Sequence, residues 1–211
     1  LQFALPDNGA AGAERTTYWF DYQDVRVVVI DGTSALDLGT AKAQAAWLDQ
    51  ALASNPHRWS IVLTHQPFFS PREGRDNVLL RQHLLPVIRK RKVDLVLQGH
   101  DHVYGRLKNE APTPVFVVSV TGAKQYRLSE EARKTMRPVA EDTQLFQVLR
   151  FDGSRLRYEA RTATGRLYDA FDLVDGGAAG KQLVEHAEGR IEERTCTRAE
   201  TLKGRADRCW E

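Results

Sequence analysis

Three short apolar runs lie in the first half of the chain, and amphipathic stretches separate them. Val25–Ile30, Ser60–Thr64 and Val93–Leu97 are rich in β-branched residues, which is typical of strands covered on both faces. In the first intervening stretch, apolar positions recur at helical spacing behind Thr40, a suitable N-cap. The order strand, helix, strand, helix, strand predicts two βαβ units and therefore a parallel sheet.

The pattern changes to antiparallel β after residue 102. A strand is predicted at Val115–Val120, followed by an irregular polar stretch up to Asp142 and then by a three-stranded meander over 145–174. The helix predicted from Asn77 to Arg91 contains Pro86, which should kink or split it. From Gly176 onward the sequence is polar and glycine-rich, and we expect an appendage there.

Composition narrows the classes of function. The 211 residues are 42% hydrophobic and 27% charged, with a net charge of +2, which fits one globular domain and gives no reason to predict nucleic-acid binding. No apolar run is long enough to span a membrane. Cys196 and Cys209 are either a disulfide or two reduced thiols. We favour the disulfide, which indicates an extracytoplasmic location, either periplasmic or secreted.

Candidate chemistry lies at the ends of two predicted strands. His65 follows one apolar run, and Gly99-His100-Asp101-His102 follows another. The carboxyl ends of parallel strands share one edge of a sheet, which is where such sheets bind ligands. In an extended segment His100 and His102 would share a face, and neutral imidazole is a common metal ligand. The spacing therefore predicts a metal site formed by His65, His100 and His102.

These motifs resemble the second half of a calcineurin-like metallophosphoesterase, with the purple acid phosphatase branch as the nearest likeness. The aromatic segment 18–22, Trp47-Leu48, and Tyr104 with Arg106 support the resemblance, which covers roughly residues 3–170. It implies a four-layer αββα sandwich, of which this chain would be one half. Residues 1–174 would be the C-terminal half of that domain, and residues 175–211 a polar C-terminal extension, disulfide-stapled if Cys196 pairs with Cys209.

The resemblance also implies a reaction. Family members bind two metal ions, here Fe, Zn or Mn, and a hydroxide that bridges them attacks phosphorus in a phosphate mono- or diester. Carried over by position, His65 and His100 would ligate one ion and His102 the other. Tyr104 and Arg106 are weaker candidates for substrate contact. Arg106 would reach a phosphate or a carboxylate behind the ligands, with a surface salt bridge as the open alternative.

Three earlier motifs of the family do not occur in this sequence: Asp-x-His, Gly-Asp-x-x-Asp, and Gly-Asn-His followed by an acid. We therefore expect the N-terminal half of the domain to lie outside this chain, and this chain alone to be inactive or nearly so. An incomplete sheet would favour a dimer or a domain-swapped assembly. The alternative function is a non-catalytic remnant or interaction module that binds a single metal or a protein partner.

Overall fold

Two β-sheets pack face to face, and helices cover the outer face of the larger one. The structure, a computed structural model, describes residues 4–108 and 111–196. The strands are β1 (Tyr18–Tyr22), β2 (Val25–Ile30), β3 (Trp59–Thr64), β4 (Leu95–Gln98), β5 (Tyr104–Leu107), β6 (Val115–Val118), β7 (Met136–Ala140), β8 (Leu145–Asp152), β9 (Arg155–Thr162), β10 (Leu167–Asp175) and β11 (Lys181–Glu185). The helices are α1 (Gly32–Asp37), α2 (Ala41–Ala53), α3 (Val78–His83), α4 (Leu85–Lys90) and α5 (Glu130–Thr135).

The larger sheet has seven strands in the order β1-β2-β3-β4-β6-β5-β7. Strands β2, β3, β4 and β6 run parallel to one another, with α1 and α2 between β2 and β3, and α3 and α4 between β3 and β4. The prediction of two βαβ units in a parallel sheet is confirmed. Their common direction brings the carboxyl ends of β3 and β4 to the same edge, and this edge carries the candidate site.

The smaller sheet is antiparallel, in the order β11-β10-β9-β8, and it faces the larger sheet across an apolar layer. Ile61 and Leu95 of the larger sheet pack in this layer with Tyr158 and Phe171 of the smaller sheet. Val62, on the opposite face of β3, packs under the helices. Each large apolar side chain buried in this way contributes roughly 1.5–3 kcal/mol. The predicted fold class, a parallel α/β sheet followed by an antiparallel meander, is confirmed.

Several short elements differ from the sequence expectation. The stretch expected to be irregular up to Asp142 contains α5 and β7, and β7 pairs with β5. The expected appendage is also corrected in part, because Lys181–Glu185 pairs along β10 and belongs to the smaller sheet. The split at Pro86 is confirmed, with α3 and α4 meeting at Leu84. Among the described helices, none is long and apolar enough to cross a membrane.

Candidate metal centre

The ends of β3 and β4 bring two of the three predicted histidines together. His65 follows β3 directly, and the Gly99 N–H donates to the His65 carbonyl at 3.2 Å, which continues the strand pairing beyond β4. The imidazole Nδ1 of His100 lies 2.8 Å from Nε2 of His65, with the rings edge to face at 4.8 Å between centroids. Two ring nitrogens therefore converge on one point at the sheet edge.

His102 lies next to this pair but has a different partner. Its Nδ1 lies 2.9 Å from the backbone carbonyl of Lys124, and its ring packs 5.0 Å from the ring of Tyr126. Because a carbonyl oxygen can only accept, Nδ1 carries the proton, and Nε2 of the neutral ring keeps its lone pair. Metal-binding histidines are commonly oriented by a carbonyl contact of this kind.

The backbone of the histidine turn is not extended as expected from sequence. His100 and His102 have φ values of +70° and +46°, whereas Gly99 stays outside the left-handed region. Positive φ is uncommon for residues other than glycine and stores strain of order 1–3 kcal/mol, which is found most often at functional sites. The turn, rather than strand alternation, therefore aims the two imidazoles.

Asp101, between the two histidines, holds the turn through buried hydrogen bonds. Its side chain is fully buried and accepts from the Ser70 hydroxyl at 2.5 Å and from Arg75 Nε at 2.6 Å. These contacts tie the turn after β4 to the loop after β3. Sequence reasoning placed the loop near the site but did not single out Ser70 or Arg75, since no local pattern marks a contact made across 26 to 31 positions.

The surroundings of His100 favour its neutral form. Burial lowers the pKa of His100, and the positive charge of Arg75 and the neighbouring His65 lower it further. A neutral imidazole has the free lone pair that metal binding requires. The electrostatic environment and the ring orientations of the histidines therefore both favour metal binding.

Tyr104 and Arg106 both contact carboxylates of the smaller sheet. Tyr104 is fully buried, and its hydroxyl donates to Asp169 at 2.7 Å. Arg106 is buried between the sheets, where its guanidinium donates to Asp169 and Glu185 at 2.6–3.2 Å. Burial would lower the pKa of Arg106, but the two carboxylates outweigh it and raise the pKa, so the guanidinium stays charged. The carboxylate contacts of Arg106 match one of the partners expected for it, and substrate contact by Tyr104 and Arg106 stays a prediction.

The histidine nitrogens are suitable metal ligands, but there are too few of them among the described residues to form a complete metal site. Nitrogens bound to one ion at roughly 2.0–2.1 Å lie about 3 Å apart, close to the spacing of His65 and His100. Within residues 4–108 and 111–196, however, no three His, Cys, Asp or Glu side chains form a group that could hold a metal ion. His65 and His100 therefore fit one metal ion as part of a centre, and His102, on the same turn, would have to serve a second ion.

Comparison with known proteins shows which family this chain resembles. The family model of the calcineurin-like phosphoesterases matches residues 5–104, a range that includes all three histidines. This match supports the resemblance to the metallophosphoesterase superfamily. Within the metallophosphoesterase superfamily, purple acid phosphatase 17 of Arabidopsis thaliana is 29% identical over 147 residues, which cover 68% of this chain and 41% of that protein. Tartrate-resistant acid phosphatase type 5 of Sus scrofa is 34% identical over 74 residues, covering 35% of this chain and 22% of that protein.

The solved structures agree on the fold. A purple acid phosphatase from yellow lupin (Lupinus luteus) superposes with a TM-score of 0.63 at 24% identity, over 81% of this chain and 34% of that chain. The chain thus spans less than half the length of each of these three proteins. A metallophosphoesterase fold is therefore present over most of the chain, and the activity of the whole protein is a matter for proposal.

The predicted disulfide stays a prediction. Cys196 is buried, and its N–H donates to Glu141 at 2.7 Å. Cys209 lies outside the described residues. The domain boundary at residues 174 and 175 likewise stays a prediction, although β11 shows that the smaller sheet continues beyond it.

Proposed function

We propose that the protein containing this chain hydrolyses phosphate mono- or diesters at a binuclear metal centre, and that this chain supplies three of its ligands. The convergence of His65 and His100, 2.8 Å apart at the carboxyl edge of two parallel strands, carries the proposal. The match of residues 5–104 to the calcineurin-like phosphoesterases supports it. His65 and His100 would hold one ion, and His102 would bind the second through Nε2.

The residues around the histidines have separate tasks in this proposal. Bound metal ions would neutralise phosphoryl oxygens and make a water nucleophilic at neutral pH. Asp101 holds the histidine turn through Ser70 and Arg75, so that the imidazoles are aimed before metal or substrate arrives. The carbonyl of Lys124 fixes the His102 ring with its proton on Nδ1. Substrate would approach the sheet edge from solvent, on the side where His65 is exposed.

The test is metal content and turnover of p-nitrophenyl phosphate by the protein that contains this chain. His100→Ala should lose bound metal, and kcat/KM should fall by at least about 100-fold, since changes behind the ligands alone cost 10–100-fold. His83→Ala, which removes a histidine from α3, is the matched control and should keep both. Equal turnover by the wild type and His100→Ala would remove His100 from catalysis.

A second candidate is a non-catalytic module that binds one metal ion or a protein partner. The absence of a complete metal-holding group within residues 4–108 and 111–196 favours it for this chain taken alone. The same experiment separates the two functions. One metal ion per chain without turnover, after loading with Fe, Zn or Mn, would indicate the module, whereas two ions with turnover would indicate the enzyme.

A further inference from the structure

Three cationic side chains gather on one side of the histidine turn. The guanidinium carbon of Arg72 lies 4.3 Å from the centre of the Tyr126 ring, and Lys124 Nζ lies 5.0 Å from the same centre. The Tyr126 ring in turn packs 5.0 Å from His102, and Arg75 holds Asp101 between the two histidines. We call Arg72, Arg75 and Lys124 the cationic rim.

Within the residues that the structure describes, the charges of the rim have fewer carboxylate partners than those of Arg106 and Arg157. Arg106 and Arg157 each donate to a carboxylate through two nitrogens. In the described part of the chain, Arg72 and Lys124 form no ion pair, and Arg75 uses only Nε on Asp101. Glu73, in the same loop, is exposed and pairs with none of them. The terminal nitrogens of the rim are therefore available to an anion.

We propose that the cationic rim binds a second phosphate group of the substrate, so that the site selects phosphate compounds carrying another phosphate on the leaving group. This inference rests on the proposed function. Metal ions would already neutralise the phosphoryl group that reacts. The rim would therefore bind a different anion. Guanidinium groups bind phosphate oxygens in pairs, and an ammonium group adds a point charge. A nucleoside diphosphate has the required chemistry, and the corresponding monophosphate does not.

The test compares ADP with AMP as substrates of the metal-loaded, full-length protein. The double variant Arg72→Gln/Lys124→Gln should lower the ratio of kcat/KM for ADP over AMP by about tenfold or more, because charge-assisted contacts to the second phosphate are lost. Arg72→Lys/Lys124→Arg keeps both charges and should restore most of the ratio. Arg89→Gln removes a cation from α4 and is the matched control, with an unchanged ratio expected. A ratio that the double variant leaves unchanged would overturn the proposal.

A second measurement does not depend on turnover. After removal of metal by a chelator, binding of inorganic pyrophosphate is measured by calorimetry at two salt concentrations. The double variant should bind at least about tenfold more weakly and with a shallower salt dependence than Arg89→Gln. If neither nucleotide is hydrolysed, the proposed function fails, and pyrophosphate binding alone decides the rim. Equal pyrophosphate affinity in the double variant and the control would then reject it.

Discussion

At the residue scale, the geometry of the site comes from a strained turn and one buried carboxylate. His100 and His102 adopt positive φ, and Asp101 between them is fully buried. A strained turn persists only where its surroundings over-determine it. Ser70 and Arg75, which both donate to Asp101, supply that constraint. The second loop is thus part of the site although its residues bind no metal in the proposed centre.

Asp101→Asn tests this constraint. The substitution keeps the shape of the side chain but removes the charge that both donors contact, so the free energy of unfolding should fall by about 2–3 kcal/mol. Asp76→Asn is the control, because Asp76 is exposed and its pair with Arg81 should contribute less than about 1 kcal/mol. Urea unfolding of both variants measures the difference. Equal, small losses would show that Asp101 does not hold the turn.

The sequence predicted the histidines but not their neighbours, for a physical reason. His65, His100 and His102 follow apolar runs, and parallel topology alone brings strand ends to one edge. Arg75 and Lys124 reach the site from loops, and their contacts depend on loop conformations that no periodicity describes. The sequence did not identify Asp169 as the partner of Tyr104 and Arg106 for a similar reason, because it lies more than 60 positions away from both.

At the element scale, Arg106 joins the two sheets. Its guanidinium, on β5, donates to Asp169 on β10 and to Glu185 on β11, and it lies 5.0 Å from the ring centre of Phe171. Burial, with the charge of Asp169, raises the pKa of the neighbouring Tyr104 well above its usual value, so its hydroxyl stays a donor. In such a buried layer, loss of one charged partner leaves the others poorly compensated.

Substitution of Arg106 should therefore strongly destabilise the fold. Arg106→Met leaves Asp169 buried with part of its compensation lost, and we expect the free energy of unfolding to fall by about 3–5 kcal/mol. Arg155→Met is the matched control, since Arg155 pairs with Asp152 at an exposed hairpin and should cost less than about 1 kcal/mol. Thermal or urea unfolding gives both values. If the Arg106→Met protein is stable but has impaired turnover, the result would instead support the predicted contact of Arg106 with substrate.

Some of these elements can be predicted from the sequence and others cannot. Strands β2 and β3 have long β-branched runs, and Pro86 marks the break between α3 and α4. In contrast, β7 contains a proline and β11 contains charged residues at both ends, so neither has an alternating pattern. Their pairing with β5 and β10 is set by tertiary contact, which outweighs weak local preference.

At the scale of the whole molecule, ion pairs connect segments that are distant in sequence. Asp49 of α2 accepts from Arg91 just after α4, at 2.7 and 2.9 Å. Asp172 of β10 pairs with Arg157 of β9 and with His186. Burial raises the pKa of Asp172, but these two partners outweigh it and lower the pKa overall. The predicted dimer or swapped assembly and the extracytoplasmic location stay predictions.

These pairs contribute to the loss of stability in acid. The hydrogen bond from Arg91 lowers the pKa of Asp49 from 3.8 to about 2. A carboxylate whose folded pKa is lowered contributes stability above its unfolded pKa, and loses it as pH falls through the folded value. We therefore expect the urea midpoint to fall progressively between about pH 4 and pH 2. Arg91→Gln should flatten that fall and return the Asp49 pKa, followed by NMR, towards 3.8. Arg89→Gln, two positions away, should leave the Asp49 titration unchanged, and a wild-type Asp49 that titrates near 3.8 would contradict the ion-pair account.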